Sequence, residues 1–221
     1  MNPAEYDAWY GTPRGHWIGR QEFTLILRKL GPAQGETLLD VGCGTGWFTR
    51  AFAAAGLAAT GLDVNLESLA YAHERGGTGI TWVAGDGERL PFQDGCFDCA
   101  VSIATLCFVP HERAALAEIL RVTRRRFAVG WLNRASLLYR QKGRHGGSGA
   151  YRGARWHTAG EIRALFDGLP VRNLTLRSAI FLPDGGPTAR VLERLLPSRL
   201  PWGSLLVATG EPIQPQGDNP P

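Results

Sequence analysis

The sequence predicts an α/β fold, a doubly wound and mostly parallel sheet with helices on both faces. Three observations carry this. Short apolar runs alternate with segments of helical period from Thr37 to Trp131; several of the runs end on small or acidic residues; and the first passes through Gly42-Cys43-Gly44-Thr45-Gly46 directly into a helix-forming stretch. Parallel neighbours need a crossover connection, and a helix on a sheet face supplies it, so the alternation implies this architecture. With 221 residues and 44% hydrophobic content the chain can build a full core without disulfide or metal staples.

In order, Thr37 to Val41 reads as the first strand and Trp47 to Gly56 as the helix after the glycine-rich turn. Ala58 to Leu62 closes on Asp63, and Leu66, Leu69, Ala70 and Ala72 then recur at helical spacing. Ile80 to Ala84 ends at Gly85-Asp86, and Phe97 to Ile103 gives a fourth strand. A helix follows Pro110, carrying Ala114, Ala115, Leu116, Ile119 and Leu120, and Phe127 to Trp131 is the fifth strand. From His157 a helix resumes, Val171 to Phe181 alternates as a strand, and Ser204 to Thr209 is a last apolar strand at the sheet's edge. The Pro-rich polar stretch 212–221 is expected to be a disordered tail.

The net charge of +4 is too small to mark a nucleic-acid binder by itself. No run approaches the roughly 20 apolar residues of a membrane span. The first residues lack a basic segment followed by an apolar one, so the cytoplasm is the expected compartment and the four cysteines are expected as free thiols.

Ligands of open α/β sheets bind beyond the carboxyl ends of the strands, so the strand tips hold the candidate site. At the first tip the spacing is G-x-G-x-G with Asp40 two positions ahead. That differs from the G-x-G-x-x-G of dinucleotide binders, and a carboxylate there repels a pyrophosphate while attracting an ammonium group. Asp63, with Val64 beside it, follows Gly42 at the distance where a carboxylate accepts ribose hydroxyls. At the third tip Asp86 can accept from an exocyclic adenine amine, Gly87 admits a flat ring, and Glu88 follows. At the fourth, Ser102 and Ile103 supply small and apolar atoms. In order, the tips describe an amino acid joined to adenosine.

Through Leu38-Leu39-Asp40-Val41-Gly42-Cys43-Gly44-Thr45-Gly46, Gly61-Leu62-Asp63, Gly85-Asp86-Gly87-Glu88-Arg89-Leu90-Pro91-Phe92 and Phe97-Asp98-Cys99-Ala100-Val101-Ser102 the chain resembles class I S-adenosylmethionine-dependent methyltransferases. Within them it is similar to the small-molecule branch that includes the ubiquinone and menaquinone C-methyltransferases. The resemblance implies a Rossmann-like seven-stranded sheet with one antiparallel strand near the edge. It also implies S-adenosylmethionine as cofactor, with S-adenosylhomocysteine as product. The glycine-rich loop (Gly42, Cys43, Gly44, Thr45, Gly46) would cradle the methionine part, Asp63 hold the ribose, and Asp86 with Gly87 flank the adenine. Residues 1–30 would form a helical lid with Tyr6 or Tyr10 touching the cofactor and Gly15 and His16 lining the acceptor pocket. Residues 31–211 would be the catalytic domain, with the basic, glycine-rich insertion 132–156 near that pocket.

Other signals read as structural. Cys96 and Cys99 form one CxxC without further ligands, strand alternation sends Cys99 inward with Phe97, and the histidines show no ligand spacing, so no metal is expected. His111, like His16, is a weak candidate base, and capping of the helix after Pro110 is the plainer role. Arg124-Arg125-Arg126 reads as a helix C-terminus, where cations are favoured. The arginines of 134–155 can bind an anionic acceptor or stay solvated. The expected function is methyl transfer to a small acceptor by a monomer or homodimer. The alternatives are an RNA methyltransferase and a non-catalytic S-adenosylmethionine sensor; a nicotinamide oxidoreductase is disfavoured by the loop spacing and Asp40.

Overall fold

The computed structural model describes residues 2–214. Two helices precede the sheet. α1 (Pro3–Gly11) starts in a capping box between Asn2 and Glu5, and α2 (Pro13–Leu30) is capped by the Thr12 side chain, which accepts the Gly15 N–H. α2 ends where Gly31 turns left-handed and donates its N–H to the Leu27 carbonyl. Then follow β1 (Thr37–Val41), α3 (Trp47–Ala54), β2 (Ala58–Asp63), α4 (Leu66–Glu74), β3 (Thr81–Ala84), β4 (Phe97–Ile103), α5 (Glu112–Val122) and β5 (Thr123–Leu132). α6 (Ala159–Leu165), β6 (Val171–Ala179), α7 (Pro187–Leu195) and β7 (Leu205–Pro212) complete the described chain.

The seven strands lie in the order β3-β2-β1-β4-β5-β7-β6. β1 pairs in parallel with both β2 and β4, so the strand order reverses there and a crevice opens above the β1 tip. β7 runs antiparallel to both β5 and β6 and lies between them, which is the antiparallel strand expected near the edge. Two cores flank the sheet. One joins Leu39, Ala100, Val129 and Leu206 to Leu116 and Ile119 of α5 and Ile162 of α6; the other joins Leu38, Val101 and Val207 to Ile26 of α2 and Phe52 of α3. α7 has no counterpart in the sequence reading.

Several expectations are corrected. The second half of the stretch read as a lid is core: Ile26 and Leu30 of α2 are fully buried beneath the sheet, leaving α1 as the covering element. The three arginines stand on β5, because α5 ends at Val122. Arg124 pairs with Asp98 at 2.5 Å, while Arg125 and Arg126 meet the buried Glu36 at 3.0 and 2.8 Å. Cys99 does not share a face with Phe97; a register irregularity between them in the β4–β5 pairing sends them into opposite cores.

Residues 132–156 are folded, with one π-helical turn at Tyr139–Gly143 and short 3-10 turns at Arg144–Gly146 and Gly149–Tyr151. Trp156 anchors them against Tyr139 and Tyr151. Residues 212–214 of the expected tail are instead held by the fold. Pro212 closes β7, Ile213 donates its N–H to the Pro170 carbonyl at 2.7 Å, and Gln214 hydrogen-bonds the Thr123 carbonyl. Residues 215–221 of that stretch lie outside the described residues.

Candidate functional site

A cavity of about 1030 Å³ opens beyond the C-terminal ends of β1, β2 and β4. Its first wall is the turn after β1. Gly42 and Cys43 both donate their N–H groups to the Leu62 carbonyl, at 2.7 and 3.0 Å, which folds the turn over the β2 end. Gly42 has φ +75°, and a Cβ there would lie 2.0 Å from Cγ2 of Thr105, whose hydroxyl donates to the Gly42 carbonyl at 2.9 Å. Only glycine fits.

Asp63 carries the second wall. One carboxylate oxygen accepts the Gly44 N–H at 2.7 Å and the other the Asn65 N–H at 2.8 Å. Asn65 caps α4, so Asp63 is not needed as its cap. Asp40 is buried and accepts the Thr49 hydroxyl at 2.7 Å. Burial raises its carboxyl to about 7 despite that bond, and the nearby Asp63 charge adds to the rise. A cation in the cavity would restore its charge. Thr45 Oγ1, in the same wall, is buried without a hydrogen-bond partner.

Beyond β3, Asp86 accepts the Glu88 N–H at 2.9 Å, and Gly87 packs against Val41. Glu88 holds His111 by its N–H at 2.9 Å and by Nδ1 at 2.8 Å, and these bonds keep its carboxyl below the usual range. His111 is the N-cap residue of α5 and borders the cavity.

α1 roofs the crevice. Its Asp7 is buried and takes Arg50 of α3 at 3.0 Å, Arg75 at 3.3 Å and the Tyr71 hydroxyl at 3.4 Å. Arg50 in turn donates to the Thr45 carbonyl at 2.8 Å, so the roof is tied to the glycine-rich turn. Tyr10 stacks on Trp47 at 4.6 Å, and its hydroxyl lies 3.3 Å from that of Tyr6.

Most residues singled out from the sequence meet here: Tyr6, Tyr10, Asp40, Gly42 to Thr45, Asp63, Val64, Asp86 to Glu88, Ile103 and His111 all border the cavity. Three expectations differ. Ser102 points away, wholly buried in β4, and its place is taken by Ala104 and Thr105. Gly46 shapes the turn rather than the wall; a Cβ on it would strike Trp82. His16 is exposed and Gly15 is packed under Trp9, and neither borders the cavity.

Sequence reasoning missed the far half of the cavity. Arg14, Ile18 and Glu22 line it from one stripe of α2, and their spacing of four was the available signal. Tyr151, Leu138 and Lys142 come from the 132–156 segment, whose Arg134 and Arg155 are instead paired with Glu161 at 2.5 Å and Glu112 at 3.1 Å. Ile180 completes this half in a left-handed conformation, φ +66°, rare for a β-branched residue. Its N–H and that of Phe181 donate to the Glu193 carboxylate at 2.8 and 2.9 Å, and its carbonyl accepts from Ser204.

Among the described residues no helix is long and apolar enough to cross a membrane, and no group of three or more His, Cys, Asp or Glu is placed to hold a metal ion.

Residues 39–126 match a family model described as a methyltransferase domain. An uncharacterised protein of Mycobacterium bovis is 32% identical over 191 residues, covering 82% of this chain; the chain spans 62% of that relative's length. A demethylmenaquinone methyltransferase of Renibacterium salmoninarum is 38% identical over 100 residues, 45% of this chain and 42% of the relative. Among solved structures, an S-adenosylmethionine-dependent methyltransferase of Thermotoga maritima superposes with a TM-score of 0.72 at 22% identity, covering 95% of this chain and 96% of that one.

Proposed function

We propose, for a chain whose residues 39–126 are a methyltransferase domain, that it transfers the methyl group of S-adenosylmethionine to a small-molecule acceptor. One observation carries this reading: the carboxylates of Asp40 and Asp63 border a single cavity around an open glycine-rich turn. The residues fit the cofactor. Asp40 suits its ammonium group, the unpartnered Thr45 hydroxyl is free to bond its carboxylate, Asp63 faces its ribose and Gly87 leaves room for its adenine. When bound, it supplies an already activated methyl group on a sulfonium sulfur.

The chain's own residues then position and desolvate. The glycine-rich turn and Asp63 fix one partner, Ile103, Ala104 and Thr105 form the floor, and α1 excludes water. His111, which borders the cavity where His16 does not, is a weak candidate for a proton acceptor, since Glu88 already holds its Nδ1. One relative, the demethylmenaquinone methyltransferase, is named for a small-molecule acceptor, which supports this reading. A cytoplasmic setting and a monomer or homodimer belong to the same proposal. The arginines of 134–155, read as able to bind an anionic acceptor, are in part engaged with Glu161 and Glu112.

Thermal unfolding with S-adenosylmethionine, S-adenosylhomocysteine, NAD and ATP tests the reading. At a hundred times the dissociation constant a ligand adds about 2.7 kcal/mol. That raises the midpoint by roughly 5–10 °C in a domain of this size. A rise with the two sulfur nucleosides alone is expected; a rise with NAD alone would overturn the proposal.

A further inference from the structure

The cavity has two halves of different chemistry. The half at the strand tips is polar and accounts for a nucleoside carrying an amino acid. The half under α1 is walled by Ile18, Tyr10, Tyr151, Ile180 and Leu205, with Lys142 at its border, and one carboxylate, Glu22, opens into it. Glu22 makes no hydrogen bond or ion pair among the described residues. Arg14, two turns earlier on the same stripe of α2, is turned aside to donate Nε to the Pro183 carbonyl at 2.6 Å. Glu193 behind it is occupied by the N–H groups of Ile180 and Phe181. The methyltransferase reading assigns Glu22 no role.

An unpaired carboxylate inside an apolar wall is costly unless a ligand completes it. Aromatic rings beside a carboxylate form the usual receptor for an organic cation, since ring faces attract positive charge and the carboxylate accepts its N–H groups. Glu22, with Tyr6, Tyr10 and Tyr151 lining the same cavity, is such a receptor, and the burial that lifts its carboxyl to about 8 suits it to take a proton from an ammonium group.

We propose that the methyl acceptor is a basic amine, bound in the aromatic half of the cavity with its nitrogen against the Glu22 carboxylate. This rests on the methyltransferase reading. The ammonium form gives one proton to Glu22. The freed nitrogen lone pair then forms the new N–C bond to the methyl carbon while the C–S bond breaks, its electron pair staying on sulfur. The products are the N-methylated ammonium and the neutral thioether, and the proton on Glu22 leaves to solvent.

Isothermal titration of the full chain with phenethylamine, tryptamine and their carboxylate counterparts, phenylacetate and indole-3-acetate, tests this with and without S-adenosylhomocysteine. The amines are expected to bind at least roughly tenfold tighter than the acids, and Glu22→Gln to remove that preference through loss of a charge-assisted bond while leaving S-adenosylhomocysteine affinity unchanged. Equal binding of amines and acids, or retention of the preference in Glu22→Gln, would overturn the inference. So would a loss of S-adenosylhomocysteine affinity in that variant, because Glu22 would then serve the cofactor. Amine binding with no affinity for the sulfur nucleosides would leave the amine receptor standing and overturn methyl transfer instead.

Discussion

Asp63 accepts the Gly44 N–H at 2.7 Å, so the β2 tip fixes the shape of the turn that follows β1. The same carboxylate faces the cavity. Asp63→Ala strips the acceptor from the Gly44 and Asn65 amides together. It is expected to lower stability by about 1–3 kcal/mol and to abolish the thermal shift given by S-adenosylhomocysteine. Calorimetry and thermal unfolding of the variant check both.

Asp40 titrates near pH 7 because burial penalises its charged form. A ligand ammonium beside it reverses that penalty, so cofactor binding at pH 7 should expel up to about half a proton from this carboxyl. Titrations in buffers of different ionisation enthalpy measure the release. Asp40→Asn should show less of it.

Asp7 is the link between α1 and the rest of the site through Arg50, Arg75 and Tyr71. Asp7→Asn keeps the shape and loses the charge. An expected destabilisation of about 1–2 kcal/mol, moderated by the partial exposure of both arginines, should be accompanied by faster hydrogen exchange confined largely to residues 3–11. Uniform acceleration over the sheet would argue against a local latch.

Glu22 has its carboxyl raised from 4.5 to about 8, so the folded chain binds that proton more tightly than the unfolded one. Its ionisation therefore opposes folding: the effect is absent below about pH 4.5, grows between 4.5 and 8, and is complete above 8. Burial sets this rise, and the charge of Glu193 on α7 adds to it; Tyr6 and Tyr10 on α1, Tyr151 and Lys142 on the 132–156 segment and Arg14 on α2 border the same cavity. Glu22→Gln should melt higher than the natural chain at pH 9 and at the same temperature at pH 4.5. Melting curves at the two pH values decide it.

Gly42→Ala brings a methyl group to within 2.0 Å of Thr105 in a backbone conformation alanine resists. The expected loss is about 1–3 kcal/mol from the left-handed backbone and the displaced neighbour. Adding Thr105→Gly should recover part of the stability without restoring cofactor affinity, as denaturant melts and titration would show.

The half of the site built from strand tips was legible because each tip is a local signature: Gly42 to Gly46, Asp63 and Asp86 to Glu88 sit where an apolar run ends, and the sheet brings run-ends together. The other half was not. Glu22 lies inside an amphipathic helix where a carboxylate looks like an ordinary surface charge, and its meaning depends on Tyr151 and Ile180, more than 120 positions away. Ser102 was misplaced by one step of strand alternation, which exchanges cavity for core. The arginines at 124–126 look like a solvated helix end until Glu36 and Asp98 are known to be buried beside them. No pattern announces Ile180's left-handed backbone, because Glu193 and Ser204 impose it from outside.

The position of β7 between β5 and β6 shapes how the chain must assemble. During synthesis β6 emerges before β7, its one neighbour among the described strands, exists, and β5 waits with one bare edge until residues 205–212 arrive. An unpaired strand edge is a template for intermolecular pairing. The nascent chain is thus most prone to aggregate between the emergence of β5 and that of β7, and the closing strand that ends this exposure also delivers Leu205 to the cavity wall.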